Sequence, residues 1–108
     1  MGVEKKFKIL IYPGLHTRPG AKFVQLCNKF NSDVQIVYDD KVANGKSMTN
    51  IMTMAAPQNA EIVIKVNGDD EELLIQELTE WHTEAHLSEV DFLKDPEKFE
   101  LLKVFEAV

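Results

Sequence analysis

The sequence predicts an α+β fold in which one sheet carries helices on a single face. Segments with apolar residues at every second position, typical of strands, alternate with segments whose apolar residues are three and four positions apart, typical of amphipathic helices. The predicted order is β α β β α β α. Because the strands alternate rather than being uniformly apolar, we expect one sheet face to meet the helices and the other to be partly exposed to water.

The first half of the chain supplies β α β β. Residues 7–12 alternate as a strand, and a helix is predicted after Pro13 and Gly14 interrupt it. Residues 34–39 alternate again, and Asp39-Asp40 is a plausible tight turn into a short partner strand over residues 41–44, giving an antiparallel hairpin. The apolar side of the predicted helix contains Phe23, Leu26, Cys27 and Phe30.

The second half supplies α β α. Ser47 is a preferred N-cap residue and precedes Met48, Ile51 and Met52, whose spacing predicts a short helix. Residues 60–66 alternate as a strand, and an amphipathic helix is predicted from Asp69 onward.

Size and charge limit the function classes. With 108 residues, the chain has room for one compact domain, predicted over residues 1–84, and an extension over residues 85–108. The net charge of −6 argues against nucleic-acid partners and anionic membranes, which both attract clustered cations. No apolar run approaches the ~20 residues that span a bilayer, and the N-terminus lacks the apolar segment of a signal peptide. We therefore expect a cytoplasmic protein.

His16 lies between the first predicted strand and the first predicted helix. Helix N-termini present free amide donors and the positive end of the helix dipole, and therefore attract anions. The guanidinium of Arg18, two residues later, has planar donors that fit phosphate oxygens. This pair is suited to carrying a phosphoryl group, although from chemistry alone an ordinary polar cap is the commoner role for such a histidine.

Two separated motifs change that balance. The segments GLHTRPGAKF and NGKSMTNIMTMAAPQNAEIVIKVNGDDEE resemble, in order and spacing, the histidine-containing phosphocarrier family HPr of the bacterial phosphotransferase system. The resemblance covers about residues 4–83. It implies an open-faced β-sandwich of four antiparallel strands with three helices on one side, and a phosphoryl carrier rather than an enzyme, without cofactor or metal.

The resemblance also implies roles for particular residues. His16 matches the histidine that the family phosphorylates on Nδ1, Arg18 matches its charge partner, and Ser47 matches a serine that a dedicated kinase modifies in many relatives. Pro13 departs from the family, because relatives usually have a small polar residue there. The expected partner-binding surface comprises Thr17, Gly20, Met48, Thr49 and Met52.

The partners implied are enzyme I, A-type domains of enzyme II and an HPr kinase/phosphorylase, each binding a monomer. The alternative hypothesis is a regulatory HPr-like module that binds a kinase or transcription regulator without relaying phosphate to sugars. Pro13 and the polar residues Thr49 and Asn50 motivate this alternative.

Two features remain after residue 81. His82 and His86, with Glu89 nearby, could form part of a zinc site, but their motif is not a known zinc motif and an exposed helix end is the favoured interpretation. Asp95 and Pro96 are good N-cap and first-turn residues, so an extra C-terminal helix is predicted from there, with its apolar side packed on the domain. That apolar side comprises Phe99, Leu102 and Phe105.

Overall fold

A computed structural model describes residues 2–108 as seven strands and four helices. The strands are β1 (Val3–Ile9), β2 (Asp33–Tyr38), β3 (Lys41–Asn44), β4 (Glu61–Asn67), β5 (His82–Ala85), β6 (Glu100–Lys103) and β7 (Phe105–Ala107). The helices are α1 (Thr17–Asn28), α2 (Met48–Met54), α3 (Glu71–Thr79) and α4 (Glu89–Lys94).

The main sheet is antiparallel, with strand order β3-β2-β4-β1-β7. The predicted β2–β3 hairpin is confirmed, with Tyr38 opposite Lys41 across the turn. The sheet therefore has five strands rather than the four that the family resemblance implies, because β7 pairs with the outer edge of β1. Strands β5 and β6 form a separate two-stranded sheet.

One hydrophobic core joins the sheet to the helices. Alternate residues of each main-sheet strand point to the same face, and on this face they are buried. Each of the first three helices covers this face with two buried apolar residues about one turn apart. These are Phe23 and Cys27 of α1, Ile51 and Met54 of α2, and Leu74 and Leu78 of α3. The predicted α+β class with an open antiparallel sheet is confirmed.

The C-terminal helix does not lie where the sequence placed it. The segment contains α4, but α4 begins at Glu89 and ends before Asp95, whose φ of −154° and ψ of 89° are not helical. Ser88, not Asp95, is the N-cap, and its hydroxyl accepts a hydrogen bond from the amide of Asp91 at 3.2 Å. Of the residues predicted to form the helix, 100–103 instead build β6 and 105–107 build β7.

This difference has a physical cause. Without β7, β1 would be an edge strand with unpaired backbone donors and acceptors, and a neighbouring chain segment can satisfy them. The amide of Leu10 donates to the carbonyl of Val104 at 2.8 Å, and the amide of Val108 donates to the carbonyl of Lys6 at 3.1 Å. A short helix would be marginal alone. Pairing with the sheet is therefore favoured over the local helical pattern.

The extension also contributes an aromatic side chain to the core. Phe105 is fully buried, and its ring centroid lies 5.2 Å from that of Phe7, 6.0 Å from Phe23 and 5.8 Å from Trp81. Phe105 thus packs between β1, α1 and Trp81, which lies two residues after α3. The core contains residues from both sides of position 84, and the division into a domain over residues 1–84 and an extension stays a prediction.

Between residues 2 and 108, no helix is both long and apolar enough to cross a bilayer.

We predict that Phe105→Ala lowers the free energy of unfolding by about 3–5 kcal/mol, because it removes a buried ring and leaves a cavity. Leu101→Ala is the control within the same segment: Leu101 is 70% exposed, so its truncation should change stability by less than about 0.5 kcal/mol. Urea denaturation measures both. Equal small effects would show that residues 100–108 do not pack in the core.

Candidate functional site

His16 is the N-cap residue of α1. Its backbone is extended, with φ −109° and ψ −169°, and its carbonyl accepts the first helical hydrogen bond, from the amide of Gly20 at 2.6 Å. Its side chain is exposed and makes no capping hydrogen bond within the described part of the chain. The first amides of α1, those of Thr17 and Arg18, have no intrahelical acceptor. An exposed imidazole therefore stands beside free backbone donors.

The turn before His16 is fixed against the segment that follows α2. Gly14 has φ +129°, which side-chain-bearing residues rarely adopt, and a β-carbon there would collide with the backbone of Ala56 and Pro57. The amide of Leu15 donates to the carbonyl of Ala56 at 3.0 Å, and Leu15 is buried. These contacts determine where the chain enters α1 and thus where His16 points.

Arg18 contacts two residues from the C-terminal part of the chain. Its Nη2 lies 3.7 Å from Oε2 of Glu84, and its guanidinium carbon lies 4.1 Å from the ring centroid of Phe99. Both side chains of the ion pair are more than half exposed, so the pair contributes at most about 1 kcal/mol. The cation–π contact adds a comparable amount. Arg18 is thus oriented by residues that lie outside the motifs around His16.

His16 and Arg18 line a common cavity of about 290 Å³, called here the His16 cavity. One side of it is formed by the turn and first residues of α1, and the other by residues 84–99. Its surface is mainly apolar and aromatic, with a few polar side chains. The lining residues are Tyr12, Pro13, His16, Thr17, Arg18, Pro19, Glu84, Ala85, His86, Phe92, Pro96 and Phe99.

The five residues expected to bind partners differ in exposure. Thr17 and Thr49 are exposed, whereas Met48 and Met52 are half-buried. Gly20 is buried where α1 meets α2, and a β-carbon there would lie 3.2 Å from Cγ2 of Ile51. Gly20 is therefore placed to allow close helix packing, and a role in partner binding stays a prediction for all five.

Ser47 is the N-cap of α2, as predicted. Its hydroxyl accepts hydrogen bonds from the Asn50 amide at 3.2 Å and from Nδ2 of Asn50 at 3.0 Å. Oδ1 of Asn50 in turn accepts from the amide of Asn44 at 3.2 Å. Ser47 is half-buried in a network that joins β3 to α2.

The interpretation of His82 and His86 as an exposed helix end is wrong, because His82 lies in β5 and His86 follows directly after it. His82 begins β5 and is exposed, with Nδ1 2.8 Å from the carbonyl oxygen of Glu80. His86 follows β5 and is buried. In residues 2–108, no three His, Cys, Asp or Glu side chains are grouped so that they could hold a metal ion.

Cys27 is fully buried on the core side of α1. Burial raises the pKa of its thiol to about 12, and the nearby charge of Lys46 lowers it only in part. The thiolate is the reactive form of cysteine. Cys27 is therefore a core residue rather than a nucleophile.

Comparison with known proteins shows which family the chain belongs to. Residues 3–84 match the family model described as the PTS HPr component phosphorylation site. The chain belongs to the HPr family. It is 37% identical over 81 residues to the phosphocarrier protein HPr of Buchnera aphidicola subsp. Schizaphis graminum, a match that covers 75% of this chain and 95% of that protein. HPr proteins are phosphocarriers, which supports a role in the phosphotransferase system.

Solved structures agree with the fold. A crystal structure of HPr from Bacillus anthracis superposes with a TM-score of 0.67 at 36% identity, covering 69% of this chain and 89% of that one. The catabolite repression protein Crh of Bacillus subtilis, which forms a domain-swapped dimer, superposes with a TM-score of 0.56 at 37% identity, covering 60% of this chain and 75% of that one. The HPr family match ends at residue 84, before most residues that line one side of the His16 cavity.

Sequence reasoning missed the contribution of this later segment. The sequence does not indicate that Glu84, His86 and Phe99 are neighbours of His16, because pairing between distant segments brings them there. A bridge between Tyr12 and His86 and the pairing of β5 with β6 produce this arrangement. The available signal in the sequence is the apolar spacing of Phe99, Leu102 and Phe105, which predicts a helix from Asp95 rather than packing beside His16.

We predict that Gly14→Ala destabilises the protein. Backbone strain should cost about 1–3 kcal/mol, and the collision of the new β-carbon with the backbone of Ala56 and Pro57 should add to this cost. Gly2→Ala is the matched control, because a β-carbon there would be 3.5 Å from its nearest neighbour, an ordinary contact. Thermal unfolding distinguishes the two variants. A Gly14→Ala protein as stable as Gly2→Ala would contradict a fixed turn before His16.

Proposed function

We propose that this HPr-family chain accepts a phosphoryl group on His16 from enzyme I and passes it to an A-type domain of enzyme II. The observation that carries the proposal is the exposed imidazole of His16 at the start of α1, which no capping bond within residues 2–108 occupies. A phosphoryl group adds roughly 1.5 to 2 negative charges. The free amides of α1 and the Arg18 guanidinium supply hydrogen-bond donors and positive charge for it.

The chemistry is a reversible transfer that requires no redox change. A neutral imidazole is the nucleophilic form of histidine. As the bond between phosphorus and Nδ1 of His16 forms, the bond between phosphorus and the donor group of enzyme I breaks. The second transfer repeats this with the acceptor as nucleophile and Nδ1 of His16 as leaving group. The chain is then a substrate of both partners and has no turnover of its own.

The docking surface for both partners is proposed to comprise Thr17, Met48, Thr49 and Met52. Helix α2 packs on α1 at Gly20, one turn after His16, and Cε of Met48 lies 3.8 Å from the position of a β-carbon at Gly20. Met48 is thus close to the start of α1. Flexible methionine side chains adapt to different partners. A half-buried apolar centre with exposed threonines at its edge is typical of a transient interface.

We predict that His16→Ala abolishes phosphorylation by enzyme I and phosphoenolpyruvate. His82→Ala serves as the matched control, because His82 is exposed but does not line the His16 cavity. Phosphorus NMR under alkaline conditions, which preserve phosphohistidine, measures the modification. Phosphate on the His16→Ala protein, or its loss from His82→Ala, would contradict the assignment of His16.

The contacts of Arg18 favour a second candidate function, that of a regulatory module. Glu84 and Phe99 engage the guanidinium that the carrier needs at the phosphoryl group, and one solved relative is described as a catabolite repression protein. A regulatory module would bind a kinase or transcription regulator and relay nothing to sugars. Complementation separates the two: a carrier restores growth on a transported sugar to a strain that lacks HPr, whereas a regulatory module does not.

Ser47 is proposed as a regulatory phosphorylation site for an HPr kinase/phosphorylase. An anion at a helix N-terminus is locally favourable, so the modification should not unfold α2. Its effect should fall on docking, because Met48, Thr49 and Met52 belong to the helix that Ser47 caps. A charge about 4 Å from a partner carboxylate costs up to about 4 kcal/mol at an intermediate dielectric.

We predict that Ser47→Asp slows phosphoryl transfer from enzyme I by about tenfold or more, equivalent to about 1.4 kcal/mol. Ser47→Asn is the matched control, because Asn and Asp are equally good N-caps and differ in charge. Transfer kinetics and melting temperature are measured for both variants. Both should melt near the wild-type temperature, and equal transfer rates for Asp and Asn would contradict control by charge at this site.

A further inference from the structure

The ring of Phe99 lies against the guanidinium of Arg18. The guanidinium carbon is placed over the ring, 4.1 Å from its centroid. An arginine cation is attracted to the negative face of an aromatic ring, and its planar group stacks there. Phe99 lies after the family-matched residues 3–84, so the contact joins an arginine of the family-matched part to a residue outside it.

The ring of Phe99 is itself held by the folded chain. Its centroid lies 4.7 Å from that of the buried His86 ring, which also packs edge-to-face on Phe92 at 5.3 Å. The backbone carbonyl of His86 accepts a hydrogen bond from the amide of Tyr12 at 2.9 Å. Tyr12 shortly precedes His16 in the chain. Phe99 is therefore fixed relative to the segment that carries His16.

Stacking on Phe99 positions the guanidinium without using its hydrogen-bond donors. The donors of arginine point outward in the plane of the group, whereas the ring contacts its face. The contact with Glu84 also leaves the donors available, because Nη2 of Arg18 and Oε2 of Glu84 are 3.7 Å apart and a charge-assisted hydrogen bond is about 2.7–2.9 Å long. The Arg18 side chain is 55% exposed, so its donors are open to an incoming anion.

The contact also restricts Arg18 beside the site of the proposed chemistry. Arg18 and His16 line the His16 cavity from one side, and Phe99 lines it from the other. A free arginine side chain has many rotamers, and ordering it around a phosphoryl group costs conformational entropy. A side chain that is already stacked at the cavity has lost much of this freedom before the phosphoryl group arrives. The ring thus lowers the entropic cost of using Arg18 there.

We propose that Phe99 is a positioning residue that holds Arg18 ready for the phosphoryl group on His16. Phe99 touches no reacting atom and acts through Arg18 alone. When His16 is phosphorylated, the guanidinium stays over the ring while its N–H groups donate to phosphoryl oxygens. The inference rests on the proposed function of His16 and adds a residue that lies after the family-matched segment.

The test compares Phe99→Leu with Phe99→Tyr in the full chain. Leu keeps apolar bulk but has no ring, whereas Tyr keeps the ring face. The equilibrium distribution of phosphate between enzyme I and each variant is measured together with the melting temperature. We expect Phe99→Leu to shift the distribution toward enzyme I by about threefold to fivefold, as for loss of one cation–π contact, and Phe99→Tyr to stay near the wild-type value. Equal shifts in the two variants would overturn the inference.

Repeating Phe99→Leu in an Arg18→Ala background distinguishes positioning from packing. If Phe99 acts through Arg18, removing the guanidinium first should leave Phe99→Leu without a further effect on the distribution. The same shift in both backgrounds would overturn the inference, because a packing residue acts whether or not Arg18 is present. A shift toward the phosphorylated chain in Phe99→Leu alone would also overturn it, because the ring would then withhold Arg18 from the phosphoryl group.

Proton NMR of the unmutated chain gives a second reading that does not depend on a variant folding. The Arg18 side-chain protons next to the guanidinium should be shifted upfield by the ring current of Phe99, and cross-relaxation between the two side chains should persist after phosphorylation of His16. Its loss in the phosphorylated chain would overturn the role of Phe99 and leave the role of His16 intact. Failure of enzyme I to phosphorylate the wild-type chain would overturn both.

Discussion

The burial of Phe105 is the contact on which the rest of the structure depends. Its ring meets Phe7 from the sheet, Phe23 from α1 and Trp81 from the segment after α3. A buried Phe contributes about 1.5–3 kcal/mol by leaving water, and each aromatic pair adds about 0.5–1.5 kcal/mol. This one side chain therefore ties the last strand of the chain to the first strand and to the helix that begins beside His16.

The position of that strand determines how the His16 cavity is closed. β7 lies along β1, β6 pairs with β5, and the bridge between Tyr12 and His86 holds residues 84–99 against the turn before α1. Arg18 then meets Glu84 and Phe99. The chemistry proposed for His16 thus takes place in a pocket that is built jointly by the family-matched residues and by the residues that follow them.

Much of the fold could be predicted because it is encoded locally. Alternating apolar residues correctly indicated β1, β2 and β4 of the main sheet, and the burial of Phe23 and Cys27 followed from their helical spacing. Ser47 caps α2 because its hydroxyl is chemically suited to a free amide. His16 was placed at the start of α1 by the same local reasoning, and the structure puts it there.

The C-terminal segment could not be predicted because non-local pairing decides its structure. Asp95 and Pro96 provide good local signals for a helix start, yet the unpaired edge of β1 offers backbone partners that a short helix would not use. Burial of His86 depends on Phe92 and Phe99, which approach it only in the folded chain. The spacing of apolar residues along the sequence does not predict such contacts between distant segments.

Native-state hydrogen exchange tests the central claim, that the residues after position 84 belong to the same cooperative core as the family fold. The amide of Val104 donates to the carbonyl of Trp81 at 3.1 Å, and the amide of Leu10 donates to the carbonyl of Val104 at 2.8 Å. The account predicts that both amides exchange with the same opening free energy as that of Ile64 in the centre of the sheet, through global unfolding. Rapid exchange at Val104 and Leu10, with Ile64 still protected, would show a segment that opens separately and would contradict the account.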